Sequence, residues 1–141
     1  MDEQVTIRTI CRIMVPFIQL YGFYVIAHGD LGPGGGFQGG VILASSIILL
    51  TVVLGREEGR KRISEKASTL LAPTGVLIYA GIGTICMIFG GAYLEYSHLF
   101  AGWNEHLAIH LGIYGIEIGV GITVAVSMVA IFFEMADKRD D

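Results

Sequence analysis

The sequence predicts an all-α integral membrane protein: four transmembrane helices, both termini cytoplasmic, and a glycine-rich turn on the outer side between helices 1 and 2. Three observations lead there. Of 141 residues, 53% are hydrophobic and 16% charged, with a mean hydropathy of +0.66. The charges cluster and leave long charge-free runs, whereas a soluble domain spreads charge along every element to meet water. All nine Lys and Arg fall on one side of a four-span topology.

The spans lie at about 6–28, 35–55, 70–94 and 107–133, within a single membrane domain covering 1–141. The first contains "IMVPFIQLYGFYVIA", between Arg12 and His28. That run covers only about 22 Å at helical rise, so the span extends back through "VTIRTICR", with Arg8 and Arg12 snorkelling to the interface. The second, "GVILASSIILLTVVLG", runs to Arg56. The third lies between Lys66 and Glu95, and the fourth between Glu105 and Glu134.

Orientation follows from the basic residues. Arg8, Arg12, Arg56, Arg60, Lys61, Arg62, Lys66, Lys138 and Arg139 occupy the N-terminus, the middle loop and the C-terminal tail. The glycine turn and "EYSHLFAGWNE" carry none, which puts both termini in the cytoplasm. His98 and Trp103 suit an interfacial loop. The first segment has a long n-region and no small-residue cleavage site, unlike a signal peptide. Cys11 and Cys86 fall in separate spans and suggest no disulfide framework. A net charge of −4 argues against a nucleic-acid partner.

The stretch "LGPGGGFQGG" separates the first two spans. Residues 34–39 match G-x-G-x-x-G, but they follow an apolar helix instead of a strand, so the match is no dinucleotide fingerprint. No Lys-Ser/Thr closes the run as a Walker A loop would. Gly35 and Gly39, and Gly36 and Gly40, are spaced four apart; with a helix start near Pro33 both pairs form a flat face for close helix contact. Gly34 and Phe37 complete the stretch, Phe37 drawing it toward the membrane. Tight helix packing is the favoured reading, with a ligand cradle as the alternative.

Glu117, in "GIYGIEIGVGI", falls near the midpoint of the fourth span. A carboxylate at that depth costs on the order of 3 kcal/mol. Every Lys and Arg sits near a membrane end, so none is a mid-depth partner. Three solutions remain: a protonated side chain, hydrogen bonds from Gln19, Ser45, Ser46 or Thr84, or a basic group on another subunit. His106, His110, Tyr114, Glu117 and Gly121 share one helical face, while Gly115 and Gly119 form a small-xxx-small pair on the opposite one. The polar stripe then turns toward a cavity or a partner, as a proton path requires. The two histidines lack a third ligand, and no metal site is expected.

The run "GFYVIAHGDLGPGGGFQGGVILASSIILL" resembles the signature region of the MnhB (MrpB) subunits of the Mrp-type multisubunit sodium/proton antiporters. In that family a His-containing turn precedes Pro-Gly-Gly-Gly-Phe-x-Gly-Gly; here His28 occupies the turn and Pro33 to Gly40 match throughout. Length and four-helix layout agree, so the resemblance covers most of the chain. One departure is "IHLG", with His110 where the family usually carries an aspartate.

The resemblance implies an accessory subunit in the cell membrane of a prokaryote, partnered by other membrane subunits and the lipid bilayer. Na+ and H+ would be the transported ions, with no cofactor in this chain. The subunit type also occurs in membrane-bound hydrogenase-type complexes, a second possible setting. A purely structural subunit and a stand-alone small transporter are further alternatives. No nucleophile constellation marks the chain as an enzyme by itself.

Overall fold

The computed structural model describes residues 2–32, 34–98 and 104–137. Pro33, Trp103, Lys138 and Arg139, singled out above, lie outside them. The described residues form five helices and one 3-10 turn, with no strand among them: α1 Asp2–Ala27, α2 Gly36–Leu54, α3 Arg56–Arg62, α4 Glu65–Ile88, the turn Tyr96–His98 and α5 Glu105–Asp137. Four of these, all but α3, are long and apolar enough to cross a membrane. Only 17–33% of each apolar window is buried inside the chain, so the outward faces are apolar too, as lipid or partner subunits demand.

Local sequence explains the boundaries. α1 runs through Pro16 unbroken, a substitution that membrane helices tolerate when neighbours satisfy the freed backbone group. α2 ends at Gly55, whose φ of 102° suits glycine. The short α3 is an addition to the four expected helices; its acidic Glu57 and Glu58 open the helix and its basic Arg60, Lys61 and Arg62 close it, complementing the helix dipole. Ser64 caps α4, its Oγ accepting from the Ala67 amide at 3.2 Å. α4 stops at Ile88, short of the expected 94, because Gly90 turns left-handed (φ 89°). Gly91 N–H then reaches the Cys86 carbonyl and Gly90 N–H the Met87 carbonyl, which is a Schellman ending.

The hairpin of α1 and α2 packs through Gly22 against Leu43 and through Gly39 against Ile26 and the Gly22 carbonyl. α2 and α5 run in the same direction: Gly36 lies on Glu117, and Gly40 on Gly121 and Val124. α4 runs antiparallel to α5, with Gly75 against Gly119 and Gly115 against Ile82. Gly36 and Gly40 lie against α5 and Gly39 against α1, while Gly35 lies against the Glu117 carboxyl, so the run builds two contact faces and Gly35 and Gly39 do not share one.

Core side chains gather toward the end away from the glycine turn. Cys11, Val15 and Leu50 join α1 to α2, and Ala44, Val129 and Phe133 join α2 to α5. At this basic end Arg60 lies over the Phe133 ring at 4.1 Å and Arg56 pairs with Asp137. Arg12 lines a cavity there with Glu58 and Arg62. The basic residues of the N-terminal helix and of the middle loop thus meet the C-terminal end of α5 at one end of the bundle.

Candidate polar site at the glycine turn

α2 spans about 28 Å at helical rise, nearly the roughly 30 Å of a bilayer core. Glu117 is level with its first turn, because Gly36 lies directly on the Glu117 backbone. α5, at 33 residues, is longer than the expected span, and Glu117 stands about a third of the way along it. Its first residues therefore rise past the α1–α2 turn. The acid sits beside that turn, not midway along the bundle.

Glycine makes this approach possible. A Cβ at Gly36 would overlap the Glu117 carbonyl and come within 2.9 Å of its Cα. A Cβ at Gly29 would overlap the carboxyl group itself, and one at Gly35 would stand 3.0 Å from Oε1. Gly34 takes a φ of 147°, a conformation side chains avoid. The turn thus wraps the carboxyl with backbone. It also places the carboxyl at the amino end of α2, where the dipole is positive and backbone N–H groups lack helical partners.

Among the described residues, Glu117 Oε2 is buried and has no hydrogen-bond partner. The polar groups considered from the sequence are occupied elsewhere. Ser45 Oγ donates to the Ile42 carbonyl, Ser46 Oγ to Leu43, and Thr84 Oγ1 to Ala80. Each satisfies its own helix. Gln19 lines two cavities, one reaching Ile118 and Gly121 and the other lying at the basic end with Arg12 and Arg62.

The rest of the stripe divides. His110 Nδ1 meets the Asp30 carboxylate of the turn, and Gly121 abuts the Gly36 carbonyl and Ile26. His110, Glu117 and Gly121 of the stripe therefore face the chain's own turn. Tyr114 is half-buried, and His106 is exposed at the start of α5. His28 stays outside the cluster, stacked on Tyr24 with ring centroids 4.4 Å apart. Phe37 points outward, 67% exposed. Among the described residues no three His, Cys, Asp or Glu side chains gather as a metal site would.

Asp30 is the residue that sequence reading passes over. It stands two positions after His28, and only the fold brings it to His110. The available signal is the departure at "IHLG": a histidine in place of an acid asks where the acid has gone.

A family model described as a domain related to the MnhB subunit of Na+/H+ antiporter matches residues 6–130. A protein of Staphylococcus haemolyticus named "Putative antiporter subunit mnhB2" is 27% identical over 139 residues, covering 98% of each chain. A protein of the same name from Staphylococcus aureus strain Newman is 30% identical over 137 residues, covering 90% of this chain and 95% of its own.

Proposed function

This chain belongs to the MnhB family of Na+/H+ antiporter subunits, and from that premise we propose that its glycine turn and fourth membrane span border the ion pathway of a multisubunit antiporter. The observation that carries this reading is the buried, unpartnered oxygen of Glu117. A chain built only for packing gains nothing from an acid there, since a carboxyl oxygen buried without a hydrogen bond costs about 1–3 kcal/mol. An acid that takes up and releases a proton or meets a cation justifies that cost. The His110–Asp30 pair supplies a second ionisable station at the same turn.

Orientation with both termini cytoplasmic is part of the proposal. The basic residues at one end of the bundle support it. Other subunits of the antiporter would cover the apolar outer faces of α1 and α4, whose large side chains stand exposed from Val5 to Tyr24 and from Leu70 to Ile88.

The test is sodium-dependent proton movement in everted vesicles carrying the assembled complex. Glu117→Gln preserves size and removes the titratable group. The expected result is assembly at the normal level, shown by copurification of the other subunits, with exchange reduced to near background. Normal exchange by that variant would leave Glu117 a packing residue and the chain a structural subunit.

A further inference from the structure

The glycine turn brings together three ionisable side chains of falling exposure. The His110 side chain is 49% exposed, and its Nδ1 meets the Asp30 carboxylate, which is 10% exposed. Glu117 follows, with Oε2 buried and unpartnered. His110 and Glu117 stand two turns apart on α5, about 10 Å at helical rise, too far for a proton to pass directly.

Asp30 spans that gap. It follows Gly29, where a Cβ would overlap the Glu117 carboxyl. That carboxyl is therefore about 3.5 Å from the Gly29 Cα, and the Asp30 Cα is about 3.8 Å further along the chain. The two acids come within reach of each other or of one bridging water. Residues 13–55 and 67–137 contain no Lys or Arg, so no fixed cation competes for either acid at this end. The other titratable groups beside the turn are His28, stacked on Tyr24 of α1, and His106 and Tyr114 of α5. Tyr96 of the 3-10 turn packs on Gly112, on the side of α5 away from His110.

We propose that His110 is the outer proton port of Glu117 and passes protons to it through Asp30. The inference rests on the ion-pathway reading above and names the proton as the species carried at this turn. An imidazole exchanges protons near neutral pH and is a poor ligand for a hard cation, which takes oxygen. The transfer balances without any further group. Outer water protonates Nε2, the nitrogen that Asp30 leaves free, while the proton on Nδ1 passes to the Asp30 carboxylate, so the ring ends neutral. Protonated Asp30 then gives its proton to the Glu117 carboxylate and becomes ionised again. Exchange of the Nε2 proton for one on Nδ1, through water, resets the ring.

The test is sodium-dependent proton exchange by the assembled complex in proteoliposomes, read across pH. His110→Asn keeps a donor toward Asp30 but relays no proton, and Asp30→Asn keeps the contact but cannot ionise. Each is expected to cut exchange about a hundredfold, the scale of proton transfer by a positioned side chain, with the other subunits copurifying normally. His110→Ala removes the ring, and free imidazole is expected to restore its exchange with a pH profile set by the added imidazole. The same imidazole should do nothing for Asp30→Asn. Normal exchange by either of the first two variants overturns the relay, as does failure of imidazole to rescue His110→Ala. Loss of assembly in both of the first two variants also overturns it, since the pair would then serve to hold the turn. Glu117 separates the two claims. An inactive Glu117→Gln beside an active His110→Asn refutes the relay alone, whereas an active Glu117→Gln refutes the ion-pathway reading itself.

Discussion

His110 Nδ1 and the Asp30 carboxylate bond across 80 positions of sequence, tying α5 to the turn between α1 and α2. Which atom donates in this bond depends on the tautomer of the imidazole. The Asp30 side chain is 10% exposed and that of His110 49%, so the pair is shielded on one side only. Its coupling should be near that of a partly exposed pair, about 1 kcal/mol. A double-mutant cycle with Asp30→Asn and His110→Ala, read by thermal stability in detergent, is expected to return that value. Additive losses would show the two side chains to be independent.

Gly36 and Gly81 should respond in opposite ways to the same substitution. A methyl at Gly36 meets the Glu117 backbone, which cannot move aside, whereas a methyl at Gly81 meets nothing within 4 Å. Gly36→Ala should therefore destabilise the α2–α5 contact by about 1–3 kcal/mol, as overpacking does. Gly81→Ala should be neutral or stabilising by about 0.5–1 kcal/mol, from helix propensity alone. Thermal unfolding of the two variants side by side checks the contrast.

Such contrasts mark what was legible in the sequence. The four long helices were, because charge is confined to their ends and hydropathy needs no tertiary knowledge. The i, i+4 glycine spacing was visible as a pattern that suits close helix contact, though Gly35 and Gly39 turn out not to share a face. Which neighbour each pair serves was not: Gly36 and Gly39 are three residues apart and touch different helices. Glu117 stood out as a lone acid in an apolar run. Its surroundings did not, because Gly29, Gly35 and Asp30 reach α5 only once α2 and α5 lie parallel. The charged α3 was hidden by its shortness and by Gly59, whose hydrogen side lies against Thr51 and Phe133.

Glu117→Gln should fold about as stably as the parent chain. The unpartnered carboxyl oxygen is a cost in the folded state, and the amide keeps the shape but gives up the attraction of an acid to the positive end of α2, so the two effects offset. A melting temperature near that of the parent, together with lost exchange, is the expected signature of a group kept for function. A lower melting temperature would show that the carboxyl holds the turn together.

The Glu58–Lys61 pair predicts a carboxyl at the basic end that resists protonation. The Lys61 hydrogen bond and charge hold the Glu58 carboxyl below its ordinary value, and Glu58 in turn raises Lys61. For a lowered carboxyl the stabilisation is complete above the ordinary carboxylate pKa and fades as pH falls through the lowered one. For the raised ammonium it is complete below the ordinary lysine value and fades as pH climbs through the raised one. The pair is therefore intact across the neutral range and fails first on the acid side of the Glu58 titration. Both side chains face water, so the effect on global stability should be too small to measure at neutral pH. A local probe is required: the 13C carboxyl shift of Glu58 should titrate below that of an isolated glutamate and move up toward the ordinary value in Lys61→Gln, with Arg12 and Arg62 retaining part of the lowering. An unchanged midpoint in that variant would mean that the 2.7 Å contact does not persist in solution.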